Sequence, residues 1–344
     1  MTDVLPPGKL PSELLARLIA RNPIDDPRVL IGPGVGRDAA AIQVSDRAIV
    51  VKTDPITFAT ADIGRYLVSV NANDIACTGA EPRWLLVTAL LPEAATTSEL
   101  VESIFASLVT ACRELDIALV GGHTEITIGL DRPILVGQLI GESAPDRLLD
   151  LRRSRPADAV ILCSGIAVEG TAILAREAAG ALDVLPATIV DRAVRFLADP
   201  GISVVPAARA LVSSGAAIRG MHDPTEGGLA TALHELSSAS GLGVEVDLMS
   251  VHVFPETAAI CATLGLDPLG LIASGALLAV VAAPDVDTAI AAVEREGVRA
   301  ARIGSMLDPD GGAWFAGTPR RPLPEFPVDE IARYFSSQPV RSEA

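Results

Sequence analysis

The chain has 344 residues, of which 49% are hydrophobic and 20% charged, with a formal net charge of −16 at pH 7. That length suits two domains rather than one core, and the composition excludes global disorder. The acidic balance repels a phosphodiester backbone, so no nucleic-acid partner is expected; a nucleotide whose phosphates are screened by Mg²⁺ is still allowed.

No apolar run reaches the ~18 residues of a membrane span, and the most apolar stretch, Ala276 to Ala283, is strand-sized. No membrane partner is expected. The start, MTDVLPPGKLPS, has no basic n-region and no apolar h-region. It reads as lacking a signal peptide, which implies a cytoplasmic protein. Cys77, Cys112, Cys163 and Cys261 are far apart in apolar surroundings, with no CxxC pair. They read as reduced, buried thiols rather than a zinc site or disulfides. Positive charge is nearly all arginine, the two lysines being Lys9 and Lys52.

In chain order, Gly8 to Arg21 carries a helical stripe (Leu14, Leu15, Leu18, Ile19) behind an N-cap at Ser12. A Pro/Gly-rich loop follows from Asn22 to Gly36. Ala39 to Val44 and Ala48 to Thr53 form a hairpin through Ser45-Asp46-Arg47. Ile63 to Thr78 is a helix closed by Gly79, and Trp84 to Leu91 is a strand. Ser98 to Leu115 is a helix with Leu100, Ile104, Leu108 and Cys112 on one stripe. Ile117 to Val120 is a buried strand ending at Gly121-Gly122, and Ile134 to Ile140 is another.

Composition turns polar and basic over residues 143–157, which marks a domain boundary: residues 1–145, a linker at 146–156, a second domain at 157–325 and a tail at 326–344. The second half continues with a strand from Ala159 to Cys163 and a helix near residues 170–179. Further helices are expected at 188–198, 204–213, 225–239, 255–264 and 285–295. Strands are expected at 216–222, 243–247, 276–282 and 299–304, and a short helix follows Phe326. The alternation of strands and helices indicates an α/β (α+β) fold in both halves.

Several short motifs carry polar groups suited to chemistry. GPGVG at 32–36 lacks the Lys-Ser/Thr of a Walker motif and reads as a tight turn. Asp38 follows it, and Asp54 ends the second strand of the hairpin; each is placed to reach a metal or to cap a turn. Asn73 and Asp74 interrupt an apolar helix, where an unpaired carboxylate is costly, so Asp74 faces either water at a helix end or a cation. In GGHTE at 121–125 the glycines allow a sharp turn or a close approach to a ligand. His123 and Glu125 are expected to point to opposite faces, so that only one faces the site. In HDPTEGGLATAL at 222–233, Asp223-Pro224-Thr225 leads into a helix. Gly227 and Gly228 leave bare N–H groups in its first turn, which suits a phosphate or a capping motif with close helix packing.

GRDAAAI, TD, NDIACTGAEP, LVGGHTE, DPTEGGLA and SGALLAV, in this order over about residues 8–305, resemble the AIR-synthase-like (PurM-like) superfamily. GKLPSELL and DPTEGGLA are most similar to its HypE-like members. The resemblance implies two domains, a mixed α/β N-terminal domain whose strands form a barrel with a second subunit and a C-terminal α+β sandwich. It implies ATP and Mg²⁺ as cofactors in a cleft between the domains, a homodimer, and a small-molecule substrate or a maturation partner protein. The shared chemistry is ATP-dependent activation of an amide-type oxygen or transfer to another acceptor, as in dehydratases, ligases and small-molecule kinases.

It also implies roles: Asp38, Asp54 and Asp74 handle Mg²⁺ and phosphate beside Asn73, and Gly121 and Gly122 lie near the nucleotide. Asp223, Thr225, Gly227 and Gly228 face the phosphates from the second domain. Asp54, Asp74 and Asp223 are the expected catalytic set. His123 stands where the HypE-like pattern has an aspartate, so that one metal ligand is either lost or replaced by Glu125, and Glu226 stands where that pattern has an arginine. The sequence has no cysteine after Cys261, whereas HypE ends in a cysteine that carries the group to be dehydrated.

Overall fold

The computed structural model describes residues 12–21, 24–34, 37, 39–57, 61–309 and 311–337. Helix α1 (Ser12–Ile19) leads into the first domain, whose sheet contains β1 (Val29–Ile31), β2 (Ala40–Val44), β3 (Arg47–Ile56), β4 (Glu81–Pro92), β5 (Ala118–Thr127) and β6 (Ile134–Ser143). The strand order is β1-β2-β3-β6-β4-β5, with β4 and β5 parallel and the other pairs antiparallel. The hairpin turn is tighter than expected. Arg47 already pairs with Val44, which leaves Ser45 and Asp46 in the turn, Ser45 with φ 55°.

Two helices, α2 (Ile63–Cys77) and α3 (Ser98–Glu114), complete this domain. Every residue of α2 except Arg65 is buried. A helix covered all round needs neighbours on every side: α2 lies against the sheet, against α3 and against the second domain. Thr97 caps α3 by accepting a hydrogen bond from the Leu100 N–H at 3.2 Å.

The second sheet runs β13-β12-β9-β11-β7-β10-β8. Its strands are β7 (Ala159–Cys163), β8 (Ile218–His222), β9 (Val244–Val246), β10 (Leu277–Val281), β11 (Ala300–Met306), β12 (Ala313–Phe315) and β13 (Arg321–Pro322). Its helices are α4 (Val168–Glu177), α5 (Ala187–Val194), α6 (Val205–Ser213), α7 (Gly228–Ser240), α8 (Pro255–Leu264), α9 (Val286–Arg295) and α10 (Glu330–Ser337). Both β7 and β10 are buried along their whole length, which is why they read as unbroken apolar runs rather than alternating ones. Ala159, Ile161 and Cys163 join a core that continues into the first domain, whereas Val160 and Leu162 pack with the leucines of α7 on the other face.

The polar segment between the sheets is tied to both. Leu148 and Leu151 are buried. The Leu149 N–H donates to Thr78 O at 2.8 Å, and the Asp150 N–H to Arg219 O at 3.2 Å. No described helix is long and apolar enough to cross a membrane.

Candidate functional site

The face of α2 that meets the second domain carries the polar residues singled out in the sequence. Asn73 is fully buried and clamps the domains: its Nδ2 donates to Ile202 O at 2.9 Å, and its Oδ1 accepts from the Val204 N–H at 2.8 Å. One residue on, Asp74 is 3% exposed. The cation it faces is the Lys52 ammonium, whose Nζ lies 2.9 Å from Asp74 Oδ2 and 3.4 Å from Asp54 Oδ2. Lys52 and Asp54 are two apart on β3, so both side chains leave the sheet on the face that α2 covers. Asn71 fixes the strand end by donating from Nδ2 to Leu67 O at 2.9 Å and to Asp54 O at 3.4 Å.

From the second domain, Asp223 follows β8 and is 1% exposed, and its Oδ1 accepts a hydrogen bond from the Cys77 thiol at 3.5 Å. The structure thus gathers Asp54, Asn73, Asp74 and Asp223 along one helix at the domain seam. His222, to which no sequence motif assigns a role, is buried beside Asp223, with Nε2 3.0 Å from Glu235 Oε2.

Thr225, Gly227 and Gly228 form the turn into α7, and Thr225 O accepts from the Gly228 N–H at 3.0 Å. The helix starts three residues later than expected, because Gly227 (φ 78°) and Gly228 (φ 64°) are left-handed. A Cβ on Gly228 would stand 2.5 Å from Leu269 O, so the glycine allows close packing. The anion at this helix start is the protein's own: the Gly227 N–H donates to Asp329 Oδ2 at 2.6 Å. Asp329 is 8% exposed, and burial pushes its carboxyl up to about 6 despite backbone N–H donors from Gly227, Ile331 and Ile272.

The GGHTE segment departs from expectation. Strand β5 is exposed along most of its length rather than buried, and it does not end at the glycines but runs on to Thr127. The β4–β5 register slips between Leu85 and Leu86, and at Gly122 (φ 149°) an added Cβ would lie 1.9 Å from Val87 O. The glycines therefore make a bulge rather than a stop. His123 and Glu125 share a face instead of opposing each other, because residues two apart on a strand do so; His123 Nε2 lies 3.5 Å from Glu125 Oε2.

Their register partners Thr88 and Leu90 project away from α2, so Gly121, His123 and Glu125 stand on the opposite side of the sheet from Asp54 and Asp74. Asp38 lies outside the described residues. Among the described residues no group of three or more His, Cys, Asp or Glu side chains is placed to hold a metal ion. The pair Asp54 and Asp74, with an ammonium drawn between them, still suits Mg²⁺, which takes few protein carboxylates and completes its shell with phosphate and water oxygens.

All four cysteines are buried, and burial pushes the thiols of Cys112 to about 11 and of Cys163 and Cys261 to about 12. These three stay protonated at neutral pH, consistent with thiols that pack and do not react.

Residues 36–143 match the model of the N-terminal domain of AIR synthase related proteins, and residues 155–315 match that of the C-terminal domain. The chain belongs to the AIR synthase related family. Among members of this family, the carbamoyl dehydratase HypE of Cupriavidus necator is 33% identical over 283 residues, covering 79% of this chain and 77% of that protein. HypE of Azotobacter vinelandii is 31% identical over 314 residues, covering 87% and 84%. A crystal structure of HypE in complex with ATP superposes with TM-score 0.72 at 27% identity, over 90% of this chain and 92% of that one. A HypE–HypF complex shares the fold, with TM-score 0.74 at 22% identity over 91% and 99%. The mixed α/β, two-domain PurM-like architecture inferred from the motifs is the observed one.

Proposed function

We propose that this chain is an ATP-dependent enzyme that transfers the γ-phosphoryl group of Mg-ATP to an amide-type oxygen or a related acceptor. The observation that carries the reading is the Lys52 ammonium held between Asp54 and Asp74 at the domain seam. Phosphoryl transfer requires of a protein positioning and charge neutralisation more than a covalent partner. In this reading Lys52 turns to the phosphate oxygens, Asp54 and Asp74 hold Mg²⁺, and Asp223 closes the site from the second domain. Bound Mg²⁺ supplies neutralisation of the charge on the β- and γ-phosphates. Support also comes from the HypE relatives, named carbamoyl dehydratases, and from the HypE structure that contains ATP. The amide-type acceptor fits that name.

The sheet face away from α2 presents Trp84, Leu86, Leu90, Val136 and Ile140, and the edge strand β5 leaves Val120 55% and Ile126 59% exposed. An apolar sheet face beside an open edge supports a homodimer formed there, which would carry His123 and Glu125 into the interface. Trp84→Glu is expected to yield monomer by light scattering; an unchanged dimer rejects that surface. Cytoplasmic location, and a maturation protein as alternative partner, belong to the same reading. The test of activity is Mg-ATP hydrolysis in the presence of carbamoyl and carboxamide compounds. Asp54→Asn and Asp74→Asn are expected to lower turnover at least a hundredfold, and wild type that neither binds nor hydrolyses ATP overturns the reading.

A further inference from the structure

Near Asp223 at the same seam stands a buried glutamate that the phosphate site does not use. Glu169, in the first turn of α4, is 5% exposed, and its Oε2 is buried with no hydrogen-bond partner among the described residues. Tyr66 on α2 is close enough to feel its charge; the residue is 1% exposed and its hydroxyl is likewise buried without a partner among the described residues. Ser274, 1% exposed, stands beside Glu169 from the loop before β10. Asp223 and Glu226 face it from the segment before α7, and Asp329 from the segment before α10. Arg176, with Asp62 3.5 Å from its Nη1, and Glu177 are further charged groups near Tyr66. Buried polar atoms without partners are rare in folded proteins and call for an explanation such as a ligand or a catalytic role.

We propose that Glu169 is the proton-transfer residue for the acceptor half of the reaction, taking an N–H proton from an amide-type substrate seated between Tyr66 and Ser274. The inference rests on the proposed function. In an amide dehydration the amide oxygen takes the γ-phosphoryl group as the bond to ADP breaks. The C–O bond then breaks, with its electron pair leaving on phosphate. Both N–H bonds break, their electrons complete a C≡N bond, and both protons end on the departing phosphate. A carboxylate that takes one proton from nitrogen and returns it to the phosphate is regenerated each turnover. Glu169 is suited to that role, because burial and the neighbouring Glu226, Asp329 and Asp223 push its carboxyl up to about 8. A proton acceptor works best with a pKa near the working pH.

The test is Mg-ATP hydrolysis by the full chain with ethyl carbamate and acetamide as probes, from about pH 6 to about pH 9.5, beside calorimetric ATP binding. Wild-type kcat is expected to rise with pH along one limb with its midpoint near 8. Glu169→Gln should lose that limb and at least about a hundredfold in kcat, while keeping ATP affinity and a folded state at least as stable as that of wild type. Glu226→Gln keeps the carboxyl but removes a neighbouring negative charge, so its midpoint should move downward. If Glu169→Gln turns over like wild type, or Glu226→Gln leaves the midpoint in place, the role of Glu169 is overturned and the proposed function stands. Wild type that binds Mg-ATP but turns over neither probe overturns the amide reading, and this assignment with it.

Discussion

Helix α2 runs between two groups of carboxylates, and each keeps its charge out of trouble by a different route. Near its C-terminal end, Asp74 and Asp54 share the Lys52 ammonium, so the negative charge is kept and paired. Beside Tyr66 in its first turn, Glu169 holds its proton instead, raised to about 8, and Asp329, a neighbour of Glu169 in the second domain, is raised to about 6. A paired carboxylate is ready to meet a cation, whereas a protonated one is ready to exchange a proton. One seam thus contains the two kinds of group that phosphoryl transfer to an amide would need.

The comparison breaks most sharply at Lys52. Lys52→Met takes the ammonium from the buried Asp74 and is expected to cost about 3–5 kcal/mol in urea unfolding; a loss below about 1 kcal/mol would mean that the pair is not what keeps Asp74 charged. At Glu169 the sign reverses. A folded-state pKa raised to about 8 from the ordinary 4.5 means that the stability from holding the proton is complete below about 4.5 and lost as pH rises through 8. Glu169→Gln should therefore flatten the fall in stability across that window and leave the protein on the order of 3 kcal/mol more stable than wild type above it. Parallel stability–pH curves would show that Glu169 is not buried as a neutral acid. Asn73→Ala, which removes two buried hydrogen bonds between the domains without touching either charge group, should cost about 2 kcal/mol. A smaller loss than at a surface residue would show that the seam relaxes freely.

Local patterns in the sequence reported well wherever one element decided the outcome. The two β-like runs joined as a hairpin, the stripe of α3 and the unbroken apolar runs of β7 and β10 each follow from residues close in sequence. Asp74 was legible because a carboxylate inside an apolar helix demands a partner. Its partner Lys52 showed only by its rarity, as one of two lysines. The glycines at 121–122 misled, since glycine ends strands as readily as it bulges them, and only the closeness of Val87 O decides between the two. Asp329 lies 102 residues from Gly227, so no local pattern could show that a carboxylate of this chain fills the α7 start. Glu169 did leave a trace, a lone acid in the apolar run Ile166–Leu174, which gains meaning only from the Tyr66 and Ser274 that the fold brings to it.

The most direct test of the account is calorimetric binding of Mg-ATP to wild type and to the folded Asp54→Asn, Asp74→Asn double variant. Binding by wild type, weakened at least tenfold in the variant, is the predicted result; equal binding by the two proteins would contradict the nucleotide site at this seam.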